Sequence, residues 1–120
     1  SVPAPGHFTI DVGSKAIAVD QPQPRGTLLN YPAAEAGKQS EEHWSFTLPP
    51  PAGGGSAPTQ RQIPAVGEPV YVWPTHICPT VEHYDRAAVI SASGELLEWW
   101  PVDARGRFYT PENADRVSPA

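Results

Sequence analysis

The chain has 120 residues, a formal net charge of −5 and a pI near 5.2, a balance that excludes the clustered Lys and Arg of a nucleic-acid footprint. No apolar run approaches the ~18 residues of a membrane span, so no membrane partner is expected. One cysteine, Cys78, forms no internal disulfide and fits a reducing, cytoplasmic setting.

Sixteen prolines and ten glycines punctuate the chain, while four Trp, four Tyr and three Phe supply material for a folded core. The segment Ser1-Val2-Pro3-Ala4-Pro5-Gly6 has neither a Met nor a charged-then-apolar leader, and it reads as a chain processed or cut from something longer. His7 to Val12 alternates, with Phe8, Ile10 and Val12 on one face. Lys15 to Asp20 is expected to continue as a strand after a turn or bulge at Gly13-Ser14. Ala33 to Gln39 has room for a helical turn or two at most. Glu42 to Leu48 alternates again, with Trp44, Phe46 and Leu48 facing one way. Pro69 to Pro74 is a proline-bounded strand, and Arg86 to Ala92 with Glu95 to Val102 reads as a hairpin around Ser93-Gly94. Residues 49–58 form a proline run and then a glycine run, a flexible surface loop, and the polar 111–120 tail frays. The pattern predicts a mainly β, all-β domain spanning residues 1–120, small and barrel- or sandwich-like, with short helical turns at most.

Chemistry-bearing residues concentrate in Trp73 to Thr80. His76 and Cys78 are two apart, so an extended chain places both on one face. Imidazole nitrogen and thiolate sulfur both suit Zn²⁺. Two donors are half a tetrahedral set, and His43, His83, Glu41, Glu42, Glu82 and Asp85 are candidates to complete it. The same pattern also fits a free cysteine packed beside a hydrogen-bonded histidine. Glu41-Glu42-His43 is a second cluster: a carboxylate beside an imidazole can orient it, or the three can be a solvated strand start. As a strand, Glu41 and His43 share a face and Glu42 points away. Arg105 and Arg107 flank Gly106, either as an anion grip or as a charged turn. Lys15 reads as a surface lysine rather than a Schiff-base former. No nucleophile–base constellation and no phosphate-cradling glycine loop is present.

Taken in order, DVGSKAIAVD, EEHWSFTLP, VWPTHICPTVEHYD and WWPVDARGR resemble the C-terminal domain of the D-threonine aldolase and D-serine dehydratase family, pyridoxal-phosphate enzymes of the alanine-racemase fold type. The resemblance runs from about residue 8 to residue 107. It implies an N-terminal (β/α)₈ barrel, absent from these 120 residues, that carries the pyridoxal phosphate and its lysine. It implies His76 and Cys78 as ligands of a divalent metal. The cysteine resembles the zinc-using branch, and an aspartate there the branch using Mn²⁺ or Mg²⁺, a difference that follows ligand softness. Glu41, Glu42, His43, Thr80 and Tyr84 are the implied pocket-lining residues. Implied partners are the barrel domain, a small D-3-hydroxy amino acid and a second copy in a homodimer, and the chain alone is expected to be inactive. Three departures stand out: Trp44 where glycine is common, Thr75 where the family has Asn, and the Pro/Gly loop as an insertion. The alternative is a stand-alone β-barrel binding module, with Trp44, Trp73, Trp99 and Trp100 forming a partner surface. A metal hydrolase would need a third strong ligand and a general base in one pocket, an arrangement the sequence does not show. A domain that normally packs on a barrel should also carry a bare apolar patch of several hundred Å², with some of the tryptophans in it.

Overall fold

The computed structural model describes residues 4–50 and 63–105. Positions 51–58 of the expected loop, Arg107 and the 111–120 tail lie outside the described residues. The chain divides into two units, residues 1–83 and 84–120.

The first unit is built on a three-stranded antiparallel sheet in the order β1-β4-β3: β1 His7–Ile10, β4 Trp44–Thr47 and β3 Glu35–Gln39. An antiparallel ribbon pairs β2, Gly26–Leu28, with β5, Val72–Pro74. The alternation in β1 and β4 places Phe8, Ile10, Trp44 and Phe46 inward, because successive side chains of a strand point to opposite faces. Phe8 lies opposite Phe46 and Ile10 opposite Trp44 in the register, so the inward sets of the two strands stack. Their aromatic rings meet at 5.6 Å between Phe8 and Phe46 and at 4.7 Å between Trp44 and Phe46. Ile17, Leu28 of β2 and Ile63 complete this core, and Val72 of β5 packs against it, so sheet and ribbon share one interior. Trp44 is fully enclosed, at 0% exposure. Trp44, noted above as a departure from the family it resembles, therefore fills the centre of the core.

Two expectations need correcting. Residues Glu35–Gln39 form β3, not a helical turn. Gly37 lets that strand lie close to β4, since a Cβ there would stand 2.8 Å from the Ser45 hydroxyl oxygen. Lys15 to Asp20 is not a strand but a compact turn, with the amides of Ala16 and Ile17 both donating to the Gly13 carbonyl. It also contains the buried Ile17 and Ala18.

A short helix, α1 Ile77–Val81, follows β5. Pro79 sits in its first turn, where amides have no intrahelical acceptor and proline costs nothing.

The second unit is a hairpin of β6, Arg86–Ile90, and β7, Leu96–Pro101, followed by a 3₁₀ turn at Asp103–Arg105. Gly94 takes φ +87° in the connecting turn, as the sequence anticipates. No described residue of this unit is buried. The register shifts at Leu97, so Leu96, opposite Ile90, shares a face of the hairpin with Trp99, opposite Ala88, while Trp100 faces the other way; all four are about half exposed or more. Arg86 stacks its guanidinium 4.5 Å from the Trp99 ring centre.

The described residues are thus mainly β, in three small antiparallel sheets with one short helix, as expected. Among the described residues no helix is long and apolar enough to cross a membrane.

Candidate functional site: three motifs on one turn

The turn at residues 13–20 gathers the separate sequence motifs. At one end it meets Glu41-Glu42. The amide of Ser14 donates to the Ser40 carbonyl at 2.9 Å and that of Lys15 to the Glu41 carbonyl at 3.1 Å. Gly13 permits this approach, since a Cβ on it would overlap the Glu41 carbonyl and Glu42 amide. The Lys15 ammonium then reaches Glu42 Oε1 at 2.6 Å and Glu41 Oε2 at 3.3 Å. These carboxylates, Glu42 first, hold the ammonium above its usual pKa. Lys15 stays charged and 61% exposed, which is unsuited to a Schiff base. Both glutamates converge on one cation instead of facing opposite ways, because residues 41–42 form a bend and β4 begins only at Trp44.

At its other end the turn meets the His-x-Cys motif. The Ala18 amide donates to the Thr80 hydroxyl at 3.0 Å, and that hydroxyl donates to the His76 carbonyl at 2.8 Å. Thr80 is thus a tie between segments and not a free pocket hydroxyl. Two residues beyond Ala18, Asp20 Oδ2 accepts from His76 Nδ1 at 2.6 Å. The Asp20 carboxyl is held below its usual pKa, first by the Gln21 side-chain amide at 2.9 Å and then by His76.

His76 is the N-cap of α1, in extended conformation, and Cys78 is the second helical residue. The chain therefore changes from strand to helix between them, and the same-face argument for an extended chain does not apply. Cys78 is exposed, not packed away. Thr75, in the position before His76, donates its hydroxyl to the Pro24 carbonyl at 2.9 Å. Beside Asp20 lies a cleft of about 400 Å³, lined by Ala18, Val19, Pro79 and His83 among others.

His43 lines a separate cavity of about 510 Å³, with Phe8 to Val12 and the 64–70 segment. Tyr84 belongs to the second unit and is about half exposed. Arg105 forms an ion pair with the exposed Asp85. Among the described residues no group of three or more His, Cys, Asp or Glu stands close enough to hold a metal ion. The donors on offer are His76 Nε2, which the Nδ1 bond leaves open, and the Cys78 sulfur. By their chemistry alone, an imidazole nitrogen and a thiolate sulfur suit a divalent metal. Asp20 is the residue that sequence reasoning missed. It lies 56 positions from His76, and no local spacing connects them.

Residues 1–90 match the family described as "Putative serine dehydratase domain". The chain belongs to this family. The resemblance to the D-serine dehydratase and D-threonine aldolase C-terminal domain therefore holds. Uncharacterized proteins of Mycobacterium bovis and Mycobacterium tuberculosis are 31% identical over 103 residues, covering 83% of this chain and 70% of theirs. The crystal structure of D-threonine aldolase from Filomicrobium marinum superposes with a TM-score of 0.71 over 91% of this chain at 24% identity. That match fixes the fold of this serine dehydratase-type domain. The domain spans only 27% of the aldolase's length.

Proposed function

We propose that this chain is the metal-bearing domain of a pyridoxal-phosphate-dependent lyase acting on small D-3-hydroxy amino acids, of the D-threonine aldolase or D-serine dehydratase type. The observation that carries this reading is His76, with Nδ1 engaged by Asp20 and Nε2 left open, two residues from an exposed cysteine in a chain of this family. His76 and Cys78 would hold the metal. A thiolate–imidazole pair favours Zn²⁺ over Mn²⁺ or Mg²⁺. When bound, such a metal supplies Lewis-acid polarisation of the substrate's β-hydroxyl.

This chain's own residues act by placement. Thr80 and Asp20 hold the backbone and ring of His76, and the Lys15–Glu41–Glu42 cluster pins the far end of the same turn. The pyridoxal phosphate and its lysine belong, on this reading, to a barrel domain that is the partner, and this chain alone is inactive. The half-exposed Leu96, Leu97, Trp99 and Trp100 of the hairpin support a covering partner, since a two-stranded ribbon is marginal by itself. A lone surface thiol fits work in the cytoplasm.

One observation favours a second reading. The 103 aligned residues are 70% of each mycobacterial relative, so those chains are about 150 residues long. A (β/α)₈ barrel needs ~250 residues, so their barrel would have to be a separate polypeptide. Otherwise the domain serves there as a stand-alone binding module.

The test is a competitive zinc titration of the chain, purified without a metal-affinity tag, alongside His76→Ala and Cys78→Ala. One equivalent of zinc, lost in both variants, is the expected result. No zinc uptake by the unaltered chain, alone or with a barrel partner, overturns the metal-domain reading and leaves the binding module.

A further inference from the structure

We propose that Asp20 is the positioning residue of the metal site: it takes the proton on His76 Nδ1 as a hydrogen bond and so presents Nε2, as a lone pair, to the metal. This inference rests on the metal-domain reading above and names a residue outside the two ligands. A neutral imidazole carries one N–H and one lone pair, and the bond made by one nitrogen decides what the other can do. Asp20 Oδ2 stands 2.6 Å from Nδ1, and a carboxylate only accepts, so Nδ1 donates and Nε2 is the open nitrogen. The carboxylate is itself oriented, with the Gln21 amide 2.9 Å from the same oxygen.

The pair is also held from behind. Thr80 links the Ala18 amide to the His76 carbonyl, so residues 18–20 grip the histidine twice, once through its backbone and once through its ring. Two such points fix the direction of the imidazole and not only its location. At 44% and 43% side-chain exposure, Asp20 and His76 remain reachable by a metal arriving from solvent. Carboxylates behind metal-bound histidines raise ligand basicity, and removing one lowers metal affinity by about 10–100-fold.

The experiment uses the full chain with Asp20→Ala, Asp20→Asn and Asp20→Glu. Nitrogen chemical shifts of the His76 ring in the metal-free protein report its tautomer. Competitive zinc titration reports affinity, and the thiolate-to-metal absorption of the cobalt form reports Cys78 ligation. The expected result is an Nδ1–H ring in the unaltered chain that loses this preference in Asp20→Ala. Zinc binding should then be about 10–100-fold weaker, with Asp20→Asn intermediate and Asp20→Glu partly restored. A merely structural bond would move the unfolding midpoint and the tautomer but not zinc affinity. Unaltered zinc affinity in a folded Asp20→Ala, whatever its tautomer, overturns the proposal and leaves the metal site standing. No zinc uptake by the unaltered chain, alone or with a barrel partner, overturns both.

Discussion

The amide of Ala18 and the hydroxyl of Thr80 meet at 3.0 Å across 62 positions of sequence. The same hydroxyl donates to the His76 carbonyl, so one side chain closes the link between the 13–20 turn and the helix that begins beside the candidate ligands. Thr80→Val keeps the shape and removes both bonds. It should destabilise the first unit by about 1–2 kcal/mol, because the partly buried Ala18 amide loses its acceptor. Urea denaturation measures the loss. Thr80→Ser should recover most of it, and equal stability of the valine variant would show that the link carries no weight.

Gly13 and Gly94 make a contrasting pair. A Cβ at Gly13 meets the Glu41–Glu42 backbone, whereas one at Gly94 meets nothing within 4 Å but sits at φ +87°. Gly94→Ala should cost about 1 kcal/mol of local strain and leave the first unit's unfolding unchanged. Gly13→Ala should cost more, about 2–3 kcal/mol or greater, because backbone must move. It should also loosen the Lys15–Glu41–Glu42 cluster. Denaturation midpoints for the two variants decide the order.

Trp44 is enclosed by Phe8, Phe46 and their neighbours, and its indole nitrogen is buried without a hydrogen-bond partner among the described residues. Trp44→Ala should cost about 3–5 kcal/mol. Trp44→Phe removes the unpartnered N–H along with some volume and should cost clearly less. Tryptophan fluorescence of the Trp44→Phe variant should lose its most blue-shifted component.

Tyr31 and Glu68 give the stability a definite pH window. The phenol donates to Glu68 Oε1 at 2.6 Å, and that bond, with partial burial and the Glu68 charge, pushes the Tyr31 pKa from 10.0 up to about 12. The carboxyl of Glu68 is held below 4.5 by the same phenol and by the Ala65 amide. A raised phenol pKa stabilises the fold fully below pH 10 and loses that contribution as pH rises toward 12. The lowered carboxyl pKa stabilises above 4.5 and is lost as pH falls through the folded value. Thermal unfolding from pH 4 to pH 11 should show both declines. Tyr31→Phe should flatten the alkaline one, and an unchanged alkaline limb in that variant would count against the pairing.

Much of this protein was written in the period of its strands. Phe8/Ile10, Trp44/Phe46 and the Gly94 hairpin follow from alternation and turn chemistry, which act over a few residues and so are legible locally. The His76–Cys78 spacing was legible, but not its geometry, because the chain passes from extended to helical between the two residues. β3 was not, because Glu35-Ala36-Gly37-Lys38-Gln39 lacks β-branched and aromatic residues and becomes a strand by pairing with β4. Nor was the conformation of residues 15–20, whose alternation was overridden by Gly13 packing on a backbone 28 positions away. The approach of Asp20 to His76, and of Lys15 to both glutamates, was decided by tertiary structure alone. Hydrogen bonds and ion pairs between distant segments have no sequence period, so only the fold that closes the loop between them brings them within reach.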